Sequence, residues 1–210
     1  MIIGLMSNKG GVGKTTLSMN IAKGLSSRSS LVVLDADPQQ SSTHWNRVGK
    51  LSGFECPDLV TLEEQSVDEA IAKLSNQYEH IIVDCPPSIE SAQTKATLNL
   101  ADIAIVPVQP SPIDLWATVH IIGIIKESQA RNPRLRAAML LNQLEPRTTL
   151  SKVMKNAVGQ FGLPVLPIGL RRRAIYRNCL LDGRSVYDSG VRAEDAIAEI
   201  ETVIEEIFKL

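Results

Sequence analysis

The sequence is poor in aromatic residues, which make up 4% of its 210 residues, although 44% are hydrophobic. The core must therefore be built mainly from Ile, Leu, Val and Ala, which suits a parallel sheet covered by helices. Cysteine is also scarce, and Cys56, Cys85 and Cys179 are far apart, with no Cys-x-x-Cys pair. This spacing argues against a disulfide framework or a zinc site and favours a reducing compartment.

Strong net charge and long apolar runs are also lacking. The net charge is −1, so any binding of nucleic acid would need a local basic patch. The N-terminus has no basic segment followed by an apolar stretch, as a signal peptide would. No apolar run approaches the roughly 18 residues needed to span a bilayer. We therefore expect a cytoplasmic protein with no membrane partner.

Short apolar runs alternate with helical patterns along the whole chain. This alternation predicts βαβ units, hence an α/β fold with a mostly parallel, twisted sheet flanked by helices. No linker divides the chain, so a single domain over residues 1–210 is predicted. The predicted strands are 1–6, 30–37, 80–87, 103–108, 137–144 and 163–168, and the predicted helices are 15–25, 67–74, 115–128, 150–161 and a long one within 192–210.

The segment "NKGGVGKTT" joins the first predicted strand to the first helix. Three glycines allow a tight loop whose N–H groups point inward, and the helix adds its positive N-terminal end. A lysine and a threonine at the helix start suit phosphate and Mg²⁺ respectively. This context predicts a P-loop NTPase site and disfavours a glycine-rich turn without a ligand. The candidate ATP-binding residues are Lys9, Gly10, Gly11, Val12, Gly13, Lys14, Thr15 and Thr16.

Acidic residues end two buried strands, in "VVLDADPQ" and "IIVDCPP". Ligands of open α/β sheets bind beyond the carboxyl ends of the strands, so Asp35, Asp37 and Asp84 should lie near the phosphate loop. An aspartate there can hold Mg²⁺ or orient water. We predict Thr15, Asp35 and Asp84 as metal ligands and Asp37 as a catalytic residue. The alternative, strongest for Asp35, is that the carboxylate caps a following helix.

"KGGVGKTT", "DADPQQS" and "VDCPPS" together resemble the ParA/MinD family of deviant Walker A ATPases. The resemblance is greatest to the small ParF-like partition ATPases, and "PVQPSPIDLWA" and "LLDGRSVYD" extend it over essentially the whole chain.

The resemblance implies a role for each matching residue. Lys9 matches a signature lysine that reaches the nucleotide of the other subunit, and Lys14 the ordinary phosphate lysine. Asp37 matches the residue that positions the hydrolytic water. Asn142 matches an asparagine that reads adenine, and Pro167 is expected to lie against the base.

The resemblance also implies an ATP-bound homodimer that separates on hydrolysis, with slow ATPase activity that a partner stimulates. The burial of two triphosphates between subunits requires extra cations, and a lysine from each partner supplies one. The "PSP" of residues 110–112 either contributes to this interface or merely ends a strand.

A basic segment, "GLRRRAIYRN", contains four arginines and no acid. Arginine suits backbone phosphates, and the resembled family binds DNA non-specifically as ATP dimers. We predict DNA contacts from Arg171, Arg172, Arg173 and Arg177, foremost Arg172 and Arg173, with Lys152 and Lys155 as weaker candidates. The alternatives are a solvated loop or arginines that serve the nucleotide pocket.

Three other functions compete. Membrane positioning of the MinD type needs a basic amphipathic helix, whereas the C-terminal helix is acidic. An iron–sulfur role needs a second cysteine to pair with Cys85, and a synthetase or kinase on the same fold remains a third alternative.

The sequence favours a nucleoid-associated ATP switch that segregates a plasmid or chromosome through a centromere-binding partner. The alternative is the positioning of a protein cargo, such as a carboxysome or chemoreceptor cluster, through an adaptor.

Overall fold

Seven parallel strands form one sheet in the order β3-β2-β4-β1-β5-β6-β7 in the computed structural model, which describes residues 1–145, 148 and 162–210. For residues 112–116 the structure describes the backbone only. The predicted α/β fold is confirmed. The strands are β1 Ile2–Leu5, β2 Leu31–Asp35, β3 Asp58–Thr61, β4 His80–Asp84, β5 Ile103–Val108, β6 Arg136–Leu144 and β7 Val165–Arg171.

Helices cover both faces of the sheet. They are α1 Lys14–Ser26, α2 Ser41–Leu51, α3 Val67–Leu74, α4 Ala92–Leu100, α5 Pro112–Arg131, α6 Ala174–Asp182 and α7 Glu194–Ile207. The sequence did not predict β3, α2, α4 or α6. The predicted helix 150–161, with Lys152 and Lys155, lies outside the described residues.

Two apolar layers hold the sheet between its helices. Strand side chains alternate between the layers: Val32 and Leu34 pack in the layer of α3, α4 and α5, whereas Val33 packs with α1 and α7. A β-strand directs successive side chains to opposite faces, so strands covered on both sides become apolar throughout. All five residues of β2 are buried accordingly.

The register brings the carboxyl ends of the central strands together. Asp84 at the end of β4 pairs with Leu5 of β1 on one side and Asp35 of β2 on the other. The loop between β1 and α1 therefore leaves the sheet beside both carboxylates, as the sequence predicted.

The C-terminal helix α7 belongs to the core. Ile200, Ile204 and Ile207 are at most 3% exposed and pack in the layer that also contains α1. Its apolar face is therefore not available to a membrane, which weakens the MinD-type alternative. No helix among the described residues is long and apolar enough to cross a bilayer.

Candidate nucleotide site

The loop between β1 and α1 carries unpaired N–H groups. Gly11 and Gly13 have φ values of 78° and 96°, a region that side chains other than glycine rarely occupy. Within the described part of the chain, no group accepts a hydrogen bond from the N–H groups of residues 12–16. Helix α1 begins here with Gly13 as its cap and has no acidic residue in its first turn. The loop therefore presents several donors and a helix N-terminus to an anion.

Lys14 is held beside this cradle. Its Nζ donates to Ser7 Oγ at 3.0 Å, and the residue is 7% exposed. Burial lowers the pKa of the Lys14 ammonium, while the carboxylates of Asp84 and Asp37 act in the opposite direction. A buried cation with so few partners is suited to the charge of a phosphate group.

The Asp84 carboxylate is prepared for a cation. Its Oδ2 accepts hydrogen bonds from Thr15 Oγ1 at 2.7 Å and Ser42 Oγ at 2.6 Å. Its Oδ1 is buried and has no hydrogen-bond partner among the described residues. Burial raises the pKa of Asp84 to about 6. A free carboxylate oxygen beside a threonine hydroxyl is a donor set that fits Mg²⁺.

Ser42 is an addition that the sequence did not reveal. It is fully buried in the first turn of α2, and the only signal was a polar residue shortly after the "DADPQQ" segment. Its hydroxyl ties α2 to the carboxyl end of β4, so that the loop containing Asp37 is fixed relative to Asp84.

Asp35 is placed differently from the prediction. Its Oδ2 accepts from Thr43 N and Thr43 Oγ1, both at 2.8 Å, and its Oδ1 accepts from Asp37 N at 3.3 Å. Burial raises its pKa. Since protein donors occupy both oxygens, the structure favours the alternative in which Asp35 fixes the start of α2 rather than holding Mg²⁺.

Asp37 lies in the turn between β2 and α2. It is half-buried, and its Oδ1 accepts from Gln39 N at 3.0 Å. Among the described residues, no donor reaches the other carboxylate oxygen, so the side chain can still engage a water molecule. Its catalytic role stays a prediction.

Three amide side chains donate hydrogen bonds to backbone carbonyl oxygens of the phosphate loop. Asn142 Nδ2 donates to Val12 O at 2.7 Å, and both Gln109 Nε2 and Gln143 Nε2 donate to Gly11 O, at 2.9 and 3.0 Å. The predicted role of Asn142 in reading adenine stays a prediction, but the structure adds a loop contact to it. The sequence did not identify Gln109 or Gln143 as site residues. Gln109 follows the buried strand β5, and Gln143 is near the end of the buried strand β6.

A cavity next to the loop joins Asn142 to the basic segment. Among its lining residues are Gly13, Thr16, Asn142, Tyr176 and Arg177, and Arg171, Arg172 and Arg173 line it too. This position supports the alternative in which arginines serve the nucleotide pocket. Pro167 is exposed in the middle of β7 and does not line the cavity, so the structure does not bring it to the site.

Carboxylates offset most of the charge of the basic segment. Arg173 donates to Glu199 through Nη2 at 2.7 Å and to Asp195 through Nη1 at 3.0 Å. Arg172 pairs with Glu145 at 2.8 Å, and Arg171 lies 3.8 Å from Glu199. The two most favoured DNA residues, Arg172 and Arg173, are thus engaged within the chain. The sequence could not show this because the acids are distant along the chain.

Cys85, which follows Asp84, does not suit a metal–sulfur centre. It is fully buried, and burial raises its thiol pKa to about 12. In the described part of the chain, no group of three or more His, Cys, Asp or Glu residues could hold a metal ion. Cys85 therefore fills space at the strand end as a neutral thiol.

Comparison with known proteins agrees with this geometry. The model of the CobQ/CobB/MinD/ParA nucleotide-binding domain matches residues 3–186. "Maintenance of carboxysome distribution protein A" of Halothiobacillus neapolitanus is 39% identical over 201 residues, covering 95% of this chain and 93% of the relative. The chromosome-partitioning ATPase Soj of Thermus thermophilus is 31% identical over 71% of this chain and 72% of the relative.

Among solved structures, the ATP complex of a variant of McdA from Cyanothece superposes with a TM-score of 0.76. The superposition covers 98% of this chain and 95% of the other, at 17% identity. At this identity the likeness bears on the fold alone.

Proposed function

The chain belongs to the CobQ/CobB/MinD/ParA family of nucleotide-binding domains, and from this membership we propose that it is a dimerising ATPase switch that positions a cargo. One observation carries the proposal: the phosphate loop contains two lysines in different settings. Lys14 is buried against Ser7, whereas Lys9 is half-buried and lines a small cavity with Ala117 and Thr118 of α5. Lys9 thus lies on the side of the loop that faces α5, apart from Lys14, and we propose that a second subunit meets this side.

Within one subunit, different residues of the site act on the phosphates, on the attacking water and on Mg²⁺. The loop N–H groups and Lys14 bind the phosphates, and Asp37 orients the attacking water. Thr15 and Asp84 would hold Mg²⁺, which neutralises charge that develops on the phosphates. We propose that Lys9 of each subunit completes the site of the other, so that hydrolysis is slow until a partner stimulates it.

The proposed cargo is a protein assembly rather than a plasmid. The sequence analysis favoured plasmid or chromosome segregation, but the relative with 39% identity over nearly the whole chain is named for carboxysome distribution. The chromosome-partitioning relative is less similar and covers less of the chain. The comparisons therefore support the alternative, a carboxysome or comparable body reached through an adaptor protein.

Imaging in the source organism separates the two cargoes. After deletion of the gene, a fluorescent carboxysome shell protein should lose its even spacing while plasmids remain stably inherited. Plasmid loss with evenly spaced carboxysomes would favour plasmid segregation as the function.

We further propose that the ATP dimer binds DNA non-specifically and is nucleoid-associated in the cytoplasm. Non-specific binding depends on cations that face backbone phosphates. Dimerisation doubles the number of such cations on one particle, so ATP would control the affinity for DNA.

The dimer is tested with Lys9→Ala, and Asp37→Ala serves as the matched comparison from the same site. Lys9→Ala should bind ATP and Mg²⁺ as a monomer and lose dimerisation and hydrolysis. Asp37→Ala should bind ATP, dimerise and fail to hydrolyse. Sedimentation velocity with ATP measures the dimer, and phosphate release measures hydrolysis.

If Lys9→Ala dimerises as the wild type does, Lys9 is a local phosphate contact and the switch proposal loses its main support. Normal hydrolysis by Asp37→Ala would remove Asp37 from the mechanism without affecting the dimer.

A further inference from the structure

Two glutamines, one immediately after β5 and one in β6, share one acceptor in the phosphate loop. Gln109 Nε2 and Gln143 Nε2 donate to the carbonyl oxygen of Gly11 at 2.9 and 3.0 Å. A carbonyl oxygen has two lone pairs, so these donors saturate it. The neighbouring carbonyl of Val12 is held by Asn142 at 2.7 Å.

These contacts determine where the loop donors point. In a planar trans peptide, the C=O of one residue and the N–H of the next point in opposite directions, and the chain has no cis peptide bond in its described part. The amides on the Gly11 and Val12 carbonyls therefore direct the Val12 and Gly13 N–H groups away from themselves. Hydrogen bonding to a carbonyl also polarises its peptide group and strengthens that N–H as a donor.

The two glutamines lead to different parts of the molecule. Gln143 lies in β6 beside Asn142, with a φ of 55°. Gln109 immediately follows β5 and stands three residues before Pro112, where α5 begins. A shift of the Gly11 peptide is thus transmitted through Gln109 to the turn that opens α5.

The turn leads into a part of α5 that faces Lys9. Ala117, Thr118 and Ile121 of α5 line one small cavity together with Lys9 and Val108 of β5. The second and third turns of α5, the end of β5 and the loop lysine therefore line one cavity. Pro110 and Pro112 restrict the intervening turn, so little of a displacement at Gln109 is lost before α5.

We infer that Gln109 is a positioning residue that couples nucleotide occupancy of the phosphate loop to the α5 surface around Lys9. Gln143 holds the same carbonyl and lines one cavity with the turn, but it belongs to β6 and does not continue into α5, so we expect its contribution to be confined to the loop. The inference rests on the proposed dimer, because the coupled surface is the one that a second subunit would meet.

The shared acceptor provides a matched pair of variants, Gln109→Met and Gln143→Met. Methionine has nearly the size of glutamine and no donor. Each variant should bind ATP and Mg²⁺ roughly 3- to 10-fold more weakly, because one of two donors to Gly11 is lost. Isothermal titration calorimetry with a non-hydrolysable ATP analogue on dilute protein measures this loss.

Dimerisation at saturating nucleotide separates the two glutamines. Gln109→Met should raise the dimer dissociation constant about tenfold or more, within the usual range of coupling between sites. Gln143→Met should dimerise as the wild type does once its site is filled. Gln109→Leu, which also lacks a donor and adds no charge, should behave as Gln109→Met and serves if the methionine variant does not fold.

Equal dimerisation of the Gln109 and Gln143 variants at saturation would overturn the coupling, while a wild type that dimerises with ATP would leave the proposed function intact. A wild type that remains monomeric with ATP would refute the proposed function and, with it, this inference. These two failures are therefore distinguishable in one sedimentation experiment.

Discussion

Asp84 shows how a single residue can favour ligand binding at the expense of stability. The carboxylate is buried, accepts two hydroxyl hydrogen bonds and retains one oxygen without a partner. A buried carboxylate without full compensation resists ionisation, which is why burial raises its pKa to about 6. The ionised form is the one that a cation needs, so the site is preorganised for Mg²⁺ and strained without it.

Asp84→Asn should stabilise the metal-free and nucleotide-free protein near neutral pH. In the folded chain the pKa of Asp84 is raised from 3.8 to about 6, so its contribution to stability is most favourable below the unfolded value and is lost as pH rises through about 6. The asparagine removes this penalty, by up to about 3 kcal/mol at pH 7.5. Thermal unfolding at pH 7.5 and 4.5 measures the difference, which should fall to about 1 kcal/mol at the lower pH, where the folded carboxyl is protonated and the unfolded one is still mostly ionised.

Asp37→Asn is the control, because it removes the same charge from a half-buried position on the same edge of the sheet. It should change stability little at either pH. Mg²⁺ with nucleotide should stabilise the wild type and not Asp84→Asn. A less stable Asp84→Asn at pH 7.5 would mean that Lys14 compensates the buried charge fully.

The residues that the sequence identified are those whose chemistry depends on local spacing. Lys14 and Thr15 follow from the glycine loop, and Asp84 follows from its position at the end of a buried strand. Gln109, Gln143 and Ser42 act through contacts over 98, 132 and 42 residues respectively. Such contacts depend on the order of the strands, which no local pattern encodes.

At the scale of elements, the basic segment and the C-terminal helix are joined by charge. Arg173 forms hydrogen bonds with both carboxylate oxygens of Glu199, and their side chains are 22% and 11% exposed. The hydrogen bonds that Arg173 donates to Glu199 raise the pKa of Arg173. This pair fixes the end of β7 and the start of α6 against α7, so its arginine has a structural role irrespective of DNA.

Arg173→Ala should therefore destabilise the fold. It leaves Glu199 buried without its main cation, which costs about 2–3 kcal/mol after allowance for partial exposure. For a chain of this size that corresponds to roughly 4–12 °C in Tm. Differential scanning calorimetry measures the shift.

The matched control is Arg172→Ala, whose partner Glu145 and own side chain are both about half exposed, at 51% and 54%. An exposed pair contributes little, so this variant should lose less than about 1 kcal/mol. Equal losses for the two variants would show that the Arg173 pair is as solvated as the Arg172 pair.

Elements with strong apolar periodicity were predicted, and weakly apolar ones were missed. The predicted bounds of α3 and β5 match the structure, and α7 lies within its predicted range. Helices α2, α4 and α6 bury only four, three and one of their residues respectively. Strand β3 is an edge strand with no buried residue. Such elements are stabilised by the sheet they join more than by their own pattern.

At the scale of the whole molecule, the exposed arginines without an acidic partner among the described residues overlap only in part with those that the sequence predicted for DNA. Arg177 and Arg192 are exposed and form no ion pair with any described residue. Arg192 lines a groove with Arg184 and with Asn178 of α6, whereas Arg177 lines the cavity beside the phosphate loop. No described acid offsets either Arg177 or Arg192, whereas acids offset the other three arginines of the basic segment.

Arg177→Ala combined with Arg192→Ala should weaken DNA binding by the ATP-bound protein, measured at ATP concentrations that fill the site because Arg177 lines the cavity beside the phosphate loop. Fluorescence anisotropy with a DNA duplex, repeated over a salt series, measures the effect. Each lost phosphate contact should lower the slope of log affinity against log salt by about one. Two contacts per subunit therefore predict a decrease of about two for each subunit that touches the duplex, and affinity at least about tenfold lower at moderate salt.

The control makes the same change of charge near the amino ends of the strands, opposite the phosphate loop. Arg131 and Arg134 are exposed near the start of β6, far from the phosphate loop in the parallel sheet. Arg131→Ala with Arg134→Ala should leave the salt slope nearly unchanged. If both double variants lose affinity equally, only net charge matters. If neither does, Arg177 and Arg192 do not face DNA, and the proposed association with the nucleoid requires another surface.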